Sequence, residues 1–322
     1  MPQQKWSVLL GFSLLFISTI SWGGVTSHSG DIMLLRQGNE YFTVAFGVST
    51  ITESGDMTYS IQGSEDGGWK SSLEWPLENM WYAGGVGSVN FSRNFRLNIG
   101  IWKSLTDDAG TMKDSDWLYG YYGDTTAIYS ETDTTVESVH IDANGRYDFM
   151  QNDSMTFGAI LGYTYTKWDW TAGDGFQWTI DPLSYYYGSV TGRAITYKQE
   201  LKIPYVGLGL SISPARTPLG FNLYALYSPI AKCDDRDDHI LRSKLSQGET
   251  DGTFLSLGGE FLVKFATRWS VTGTLQYSAY DLEGTQEQYF YAGENAGRGS
   301  TGIDLEIEGS QAYFGLTIGY KF

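Results

Sequence analysis

Cysteine, histidine and cationic side chains are scarce in this sequence of 322 residues, which has one cysteine and three histidines. The single cysteine, Cys233, excludes an intrachain disulfide framework and any multi-cysteine metal site. The 21 Lys and Arg residues are outnumbered by 37 Asp and Glu, so the formal net charge is −16. This balance disfavours nucleic acid as a partner and favours cationic ligands or substrates.

Long apolar runs are confined to the N-terminus, where residues 6–20 form one after Lys5 and small residues follow at 23–24. This arrangement is typical of a secretory signal peptide. No later run is long enough for a membrane-spanning helix, so the mature protein is either exported and soluble or a membrane β-barrel. We expect a signal peptide over residues 1–23 and a single barrel domain over residues 24–322.

Glycine and aromatic residues are abundant: 40 Gly, 23 Tyr, 16 Phe and 11 Trp. They indicate many aromatic β-strands punctuated by glycine rather than a helical enzyme. Apolar and polar residues alternate in these strands; Val139, Ile141, Ala143, Tyr147 and Phe149 alternate with His140, Asp142, Asn144, Arg146 and Asp148. So dense a charged face cannot contact lipid, but it suits the wet lumen of a barrel. We interpret His140 as a polar lumen residue rather than a ligand.

Connections of two lengths alternate along the chain, as they do in outer-membrane barrels. Short turns are expected near residues 92–94, 151–154, 214–218 and 266–268, and long polar loops near residues 106–135, 173–192, 241–251 and 283–302. The fold class predicted is therefore all-β, a transmembrane antiparallel β-barrel of about ten strands with long extracellular loops and short periplasmic turns. The last strand ends at Phe322 and resembles the assembly signal of bacterial outer-membrane proteins.

Two carboxylate clusters share one spacing. Asp237 and His239 lie two residues apart, so on an extended segment both side chains leave the same face, and the carboxylate can fix the tautomer of the imidazole. Asp114 and Asp116 have the same spacing in the loop region of another hairpin. A solvated acidic loop is the ordinary alternative for such a charge run. A Ca²⁺ site is another alternative, formed by Asp234, Asp235, Asp237 and Asp238, but His239 fits it badly.

The two clusters also carry a resemblance to a known family. Lys113-Asp-Ser-Asp-Trp117 and Asp235-Arg-Asp-Asp-His239 resemble two motifs of the omptin family of bacterial outer-membrane proteases. Further matches occur at Gly67–Lys70, Arg193–Gln199, Ile203–Gly207 and Arg242–Lys244. The resemblance covers most of the mature chain and implies a ten-stranded barrel with an active site in an extracellular groove.

What the resemblance implies is an aspartic-type endopeptidase with four catalytic residues: Asp114, Asp116, Asp237 and His239. Water would be the nucleophile, activated by His239 with the support of Asp237, and the Asp114 and Asp116 pair would hold it. Neither a cofactor nor a metal is expected. The partners expected are peptides or proteins with basic residues, and the protein is expected to be a monomer in the bacterial outer membrane, with the site facing outwards.

The resemblance also implies binding residues outside the catalytic set. Asp235 and Asp56 are expected to receive the basic side chain that precedes the cleaved bond. Omptins bind lipopolysaccharide on the barrel exterior through basic residues, and here Tyr163 and Lys167 match those positions, whereas Glu200 and Ser246 replace two others. Outer-membrane lipid is therefore an expected partner, with lipopolysaccharide as the candidate.

One difficulty and one rival interpretation follow from the sequence. Extending the outward-facing set from Leu219 to Tyr227 by steps of two would turn Asp235, Asp237 and His239 outwards, so a bulge or bend near Pro229 is required.

The rival interpretation is a non-catalytic porin-like or structural barrel, because barrel folds carry unrelated functions. Ten strands are too few for a wide aqueous channel, which counts against general diffusion.

Overall fold

The computed structural model describes residues 42–63, 68–180, 185–214 and 217–322, and the signal peptide expected at residues 1–23 lies outside these ranges. Eleven antiparallel strands form one sheet: β1 Thr43–Gln62, β2 Trp69–Asn90, β3 Phe95–Ser104, β4 Asp108–Leu118, β5 Thr126–Gln151, β6 Met155–Thr179, β7 Tyr186–Ile212, β8 Leu219–His239, β9 Lys244–Lys264, β10 Trp269–Phe290 and β11 Gly299–Lys321. A helical turn, α1 Tyr119–Tyr122, follows β4, and a 3₁₀ turn, Ile240–Arg242, follows β8.

The sheet closes into a ring because β1 pairs with both β2 and β11. Strands β3 and β4 occupy one place in the ring, since each pairs with β2 on one side and with β5 on the other. The interruption between them spans residues 105–107. Ten positions around the ring are therefore filled, as the sequence predicted, and closure leaves no edge strand unpaired.

The outer wall carries an apolar band on the half of the barrel nearest the short turns. Its members are aliphatic and aromatic residues that stay exposed while their neighbours along each strand are buried; they include Phe46, Val48, Ile99, Ile101, Leu208, Leu223, Leu257, Leu275, Leu316 and Ile318. Such a band against a polar interior matches the period-two pattern of a membrane barrel. In the parts of the chain that the structure describes, no helix is long and apolar enough to cross a membrane.

The interior of this half is filled by paired charges. Arg146 donates through Nε to Asp148 at 2.7 Å and through Nη1 to Asn222 at 3.0 Å, and Arg96 Nη2 lies 3.0 Å from the other oxygen of Asp148. Asn222 in turn donates to Glu260 at 2.9 Å. Because buried charges need partners, this network explains the polar face predicted for β5, and it closes the lumen with side chains.

The lengths of the connections agree with the prediction at one end of the barrel and differ from it at the other. All four short turns lie where they were expected, between β2 and β3, β5 and β6, β7 and β8, and β9 and β10. The loops on the other side are shorter than expected, because most of residues 106–135, 173–192, 241–251 and 283–302 belongs to strands that continue beyond the apolar band. Asp114 and Asp116 accordingly lie within β4 rather than in a loop.

The phase shift required in β8 is present. Phe221 to Tyr227 alternate in the predicted phase, then two consecutive residues, Pro229 and Ile230, are both exposed. Between Ser228 and Ala231, two residues of β8 stand opposite the single residue Thr253 of β9, which is the signature of a bulge. After the bulge the odd-numbered residues face inwards, so the prediction of a phase shift near Pro229 is confirmed.

Candidate active site

The Asp237 and His239 pair lies at the end of β8 farthest from the short turns. Both side chains face the barrel interior, and His239 Nε2 lies 2.8 Å from Asp237 Oδ2. In a neutral ring that donates from Nε2, Nδ1 carries the free lone pair and can accept a proton. The second oxygen of Asp237, Oδ1, is buried and has no hydrogen-bond partner among the described residues.

Asp114 and Asp116 lie on the opposite wall, in the stretch of β4 that pairs with β2 and β5. Asp114 is buried, and its Oδ1 has no hydrogen-bond partner within the described chain. Burial, followed by the like charge of Asp116, raises the pKa of Asp114 to about 7. Asp114 can therefore hold a proton near neutral pH.

The two walls face each other across a groove. Arg242, in the 3₁₀ turn after β8, places Nη2 3.8 Å from Asp116 Oδ2. Asp237 is close enough to raise the pKa of Asp114, while Arg242 and Lys244 lower it. The groove thus contains three aspartates and one imidazole within electrostatic range, together with two cations at its rim.

Burial decides the charge state of the histidine. It lowers the pKa of His239 below the ordinary 6.5, and the opposing effect of Asp237 is smaller. Burial also lowers the pKa of Lys244, whose strand position is directly opposite His239. His239 is therefore neutral at pH 7, which is the state a general base requires.

Asp235 lies one inward-facing position below Asp237 on β8. It is buried, and no side chain in the described ranges donates a hydrogen bond to its carboxyl oxygens. Burial, with Asp237 as the second cause, raises the pKa of Asp235 to about 8. A carboxyl buried without a cation is costly, so this position is suited to a positively charged group from outside the chain.

Comparison with known proteins identifies the family to which this site belongs. The model of the omptin family matches residues 40–255, which is more than half of the chain. The chain belongs to the omptin family. The match includes all four residues expected to be catalytic as well as Asp235.

Individual relatives agree with the family match. The plasminogen activator of Yersinia pestis is 29% identical over 221 residues, which cover 66% of this chain and 67% of the relative. Protease 7 of Escherichia coli strain K12 is 29% identical over 209 residues, which cover 60% of this chain and 62% of the relative. The crystal structure of the outer membrane protease OmpT from Escherichia coli superimposes with a TM-score of 0.79 at 19% identity, covering 89% of this chain and 99% of that chain. The protein is thus an outer-membrane barrel of a protease family.

Two residues that the omptin resemblance suggested are placed differently by the structure. Asp56 is exposed on the outer face of β1. It points to the same side as the exposed Ser54 and to the side opposite the buried Met57, so it does not share a pocket with Asp235. Ser246 is fully buried and faces inwards opposite Asp237, so it does not lie on the exterior surface expected for lipid contact. Alternation along strands β1 and β9 is the physical reason in both cases.

The other two lipid candidates are on the exterior. Tyr163 is exposed on β6. Lys167, four residues on, forms an ion pair with Asp169 and lies opposite Glu200 of β7 in the strand register. The positive charge of Lys167 is therefore largely compensated within the outer wall.

Cys233 is not part of the site. It is fully buried, and burial raises its pKa well above the ordinary range of a thiol, so it is not a thiolate nucleophile. One group of carboxylates with metal-ligand spacing occurs among the described residues, formed by Asp281, Glu306 and Glu308 on the exterior. None of these belongs to the groove, and the Ca²⁺ alternative at residues 234–238 loses support because Asp234 faces outwards in an ion pair with Lys202.

Sequence reasoning missed the residues that surround Asp235. Gln199 of β7, Gln286 of β10 and the aromatic pair Tyr59 and Tyr197 face the interior there. Glutamine and tyrosine carry no motif signal, and their proximity depends on the closure of the ring. The spacing of Gln199 on the alternating strand β7 indicates only that its side chain faces inwards.

Proposed function

We propose that this omptin is an endopeptidase that cleaves peptides at basic residues with a water molecule activated by His239. The observation that carries the proposal is the 2.8 Å contact of His239 with Asp237, on a wall whose Arg242 reaches Asp116 beside the buried Asp114. Similarity to relatives named Protease 7 and outer membrane protease OmpP supports the same reaction class. The groove opens at the end remote from the periplasmic turns, so the active site is proposed to face the extracellular side.

In the proposed mechanism water occupies the space between the two walls. Nδ1 of His239 accepts a proton from the water as the water's oxygen attacks the peptide carbonyl, and Asp237 stabilises the imidazolium that forms. Protonated Asp114 donates a hydrogen bond to the developing oxyanion. The imidazolium then returns its proton to the leaving amine. Because water rather than a side chain attacks the carbonyl, no acyl-enzyme forms.

Substrate preference is proposed to come from Asp235. A basic side chain that enters beside this carboxyl supplies the missing cation and stabilises the ionised form. The excess of acidic residues attracts such substrates over a longer range.

The test is cleavage of a fluorogenic peptide with an Arg-Arg or Arg-Lys pair by the folded barrel, whose heat-modifiable gel mobility reports folding. We expect cuts after a basic residue, identified by product mass, and activity that survives Cys233→Ser. Activity should fall as the pH drops through the pKa of His239, with a midpoint below pH 6.5. A folded barrel that leaves all such peptides intact but conducts ions in a planar bilayer would support the porin-like alternative instead.

A further inference from the structure

Lys244 is the first residue of β9 and lies beside the proposed general base. It is directly opposite His239 in the strand register, and directly opposite residues point to the same face of a sheet. Because His239 faces the barrel interior, the side chain of Lys244 faces it too. The lysine is half-buried there, although most lysines are exposed to solvent.

Ring closure places Lys244 across the groove from the pair Asp114 and Asp116. From β4 the ring runs through β5, β6, β7 and β8 to β9, which is five of its ten places, so β4 and β9 lie on opposite walls. Their heights match as well, because Arg242, two residues before Lys244, places Nη2 3.8 Å from Asp116 Oδ2. Lys244 is therefore next to His239 on its own wall and faces the aspartate pair on the other.

The groove surrounds this ammonium with negative charge but gives it no direct partner. Lys244 forms no ion pair or hydrogen bond with a side chain in the described ranges, and Asp237 pairs with His239 instead. Burial lowers the pKa of Lys244, and the negative charges of Asp237 and of the aspartate pair oppose this effect. A partly buried ammonium with three N–H donors is suited to a negative charge that develops only during a reaction.

We propose that Lys244 is a further catalytic residue, whose ammonium donates a hydrogen bond to the carbonyl oxygen of the cleaved peptide bond. The inference rests on the proposed function and deepens it. As the water oxygen bonds to the carbonyl carbon, the π electrons of the carbonyl move onto its oxygen between the two walls. Lys244 donates to this oxyanion from one wall and protonated Asp114 from the other. When the C–N bond breaks and the carbonyl re-forms, Lys244 keeps its three protons.

The same positive charge assists the base. Burial lowers the pKa of His239 most, and the adjacent Lys244 and Arg242 lower it further, against the effect of Asp237. The imidazole is thereby neutral when the water attacks. The imidazolium that forms next is repelled by the ammonium beside it, which favours return of the proton to the leaving amine.

The first experiment compares the kinetics of wild type, Lys244→Met and Lys244→Arg on one peptide with an Arg-Arg pair. Lys244→Met should lower kcat by about 10²-fold or more, the effect of removing one donor to an oxyanion, and change KM by less than about threefold. Lys244→Arg keeps a charged donor and should recover a large part of this loss. Methionine is apolar and of similar length, so the barrel should still fold, as heat-modifiable gel mobility will report.

Lys113→Met is the matched control. Lys113 directly precedes Asp114, but its side chain faces outwards, where Nζ lies 3.4 Å from Glu74 Oε2. Its exchange removes the same charge near the same aspartate pair without removing a donor from the groove, so kcat should stay close to wild type. An unchanged kcat in Lys244→Met, or an equal loss in Lys113→Met, would overturn the inference and leave the proposed protease intact.

A binding measurement separates failure of the inference from failure of the proposed function. A phosphinic peptide carries an anionic tetrahedral group in place of the cleaved amide, and its methyl ester is the same peptide without that charge. Both are titrated calorimetrically against the folded barrel, which requires no cleavage. Lys244→Met should reduce the preference for the acid over the ester by about tenfold or more, the effect of one charge-assisted hydrogen bond, and Lys113→Met should not.

The outcomes of this titration are distinct. A preference that depends on Lys244 in a barrel that cleaves no peptide would support the oxyanion site and count against the proposed protease. A preference that Lys244→Met leaves unchanged would contradict the inference even if peptides are cleaved, because Lys244 would then only balance the charge of the aspartates.

Discussion

The described part of the barrel contains two acid–imidazole pairs, and only one of them has the properties of a site. In the first pair, Glu53 Oε2 lies 3.3 Å from His140 Nε2, and both side chains are fully buried. Glu53 also accepts hydrogen bonds from the hydroxyls of Tyr82 and Tyr313, and His140 Nδ1 lies 3.0 Å from Thr166 Oγ1. Every polar atom of this pair is engaged by the protein.

The second pair, Asp237 and His239, is incomplete by comparison. Asp237 Oδ1 has no hydrogen-bond partner among the described residues, and the ring faces the groove that Asp114 borders. The difference teaches that a carboxylate beside an imidazole is not itself a catalytic signal. Free atoms that face an accessible space distinguish the functional pair from the structural one.

The largest effect is expected from breaking the second pair. Asp237→Asn should lower kcat by about 10²-fold or more, because the imidazole loses the partner that orients it and stabilises its charged form. His239→Ala should cost a similar factor, and the double variant should be little worse than either single variant because the pair acts as a unit. Steady-state kinetics of the three variants provide the check; strictly additive losses would show that the two residues act independently.

Breaking the first pair should instead affect stability. Glu53→Ala removes the carboxylate that accepts hydrogen bonds from Tyr82 and Tyr313 and that pairs with His140. It should therefore lower the free energy of unfolding by about 1–3 kcal/mol or more. Denaturant unfolding measured by tryptophan fluorescence gives this number. The activity of the fraction that remains folded should stay close to wild type, and a loss of kcat without a loss of stability would assign Glu53 to the site.

Much of this contrast could be predicted from the sequence. The alternation in β5 predicts that His140 faces a polar lumen, and the same period-two pattern, broken at Pro229, predicts the phase shift that turns His239 inwards. The family motifs supply the four candidate catalytic residues. Each of these inferences depends on local spacing, which a single sequence records directly.

Other features depend on ring closure or on solvent and were missed. Beyond the apolar band both faces of a strand can be polar, so β4 and the ends of β6, β7, β9 and β10 resemble loops in sequence. Asp56 was assigned to the pocket, although alternation in β1 turns it outwards. Gln199 and Gln286, which lie near Asp235 in the strand register, belong to strands that are far apart along the chain, and no local pattern brings these residues together.

The raised pKa of Asp114 on the opposite wall gives a smaller, sharper prediction. The pKa of Asp114 is raised to about 7 by burial and by Asp116, and to a lesser degree by Asp237, against the effects of Arg242 and Lys244. Asp116→Asn removes a like charge, so the pKa of Asp114 should fall and its protonated fraction at pH 7 should decrease. If protonated Asp114 supports the oxyanion, the alkaline limb of kcat/KM should move to lower pH. A limb that does not move would exclude this role.

The smallest effect is expected from lipid. Lys167 is paired with Asp169 and lies opposite Glu200, which itself pairs with Lys198, so few uncompensated cations face an anionic lipid in this part of the wall. Lipopolysaccharide should therefore stimulate cleavage only weakly, or only with divalent cations present. Full stimulation in the presence of EDTA, with Glu200→Lys giving no further increase, would contradict this prediction.

The most direct test of the contrast is a side-by-side assay of His239→Ala and His140→Ala, each confirmed as a folded, heat-modifiable barrel, on one peptide with an Arg-Arg pair. The account predicts that the His239→Ala barrel loses about 10²-fold or more of kcat with near wild-type stability. The His140→Ala barrel should lose stability yet keep its kcat when folded. Wild-type cleavage by the His239→Ala barrel would contradict the proposed mechanism.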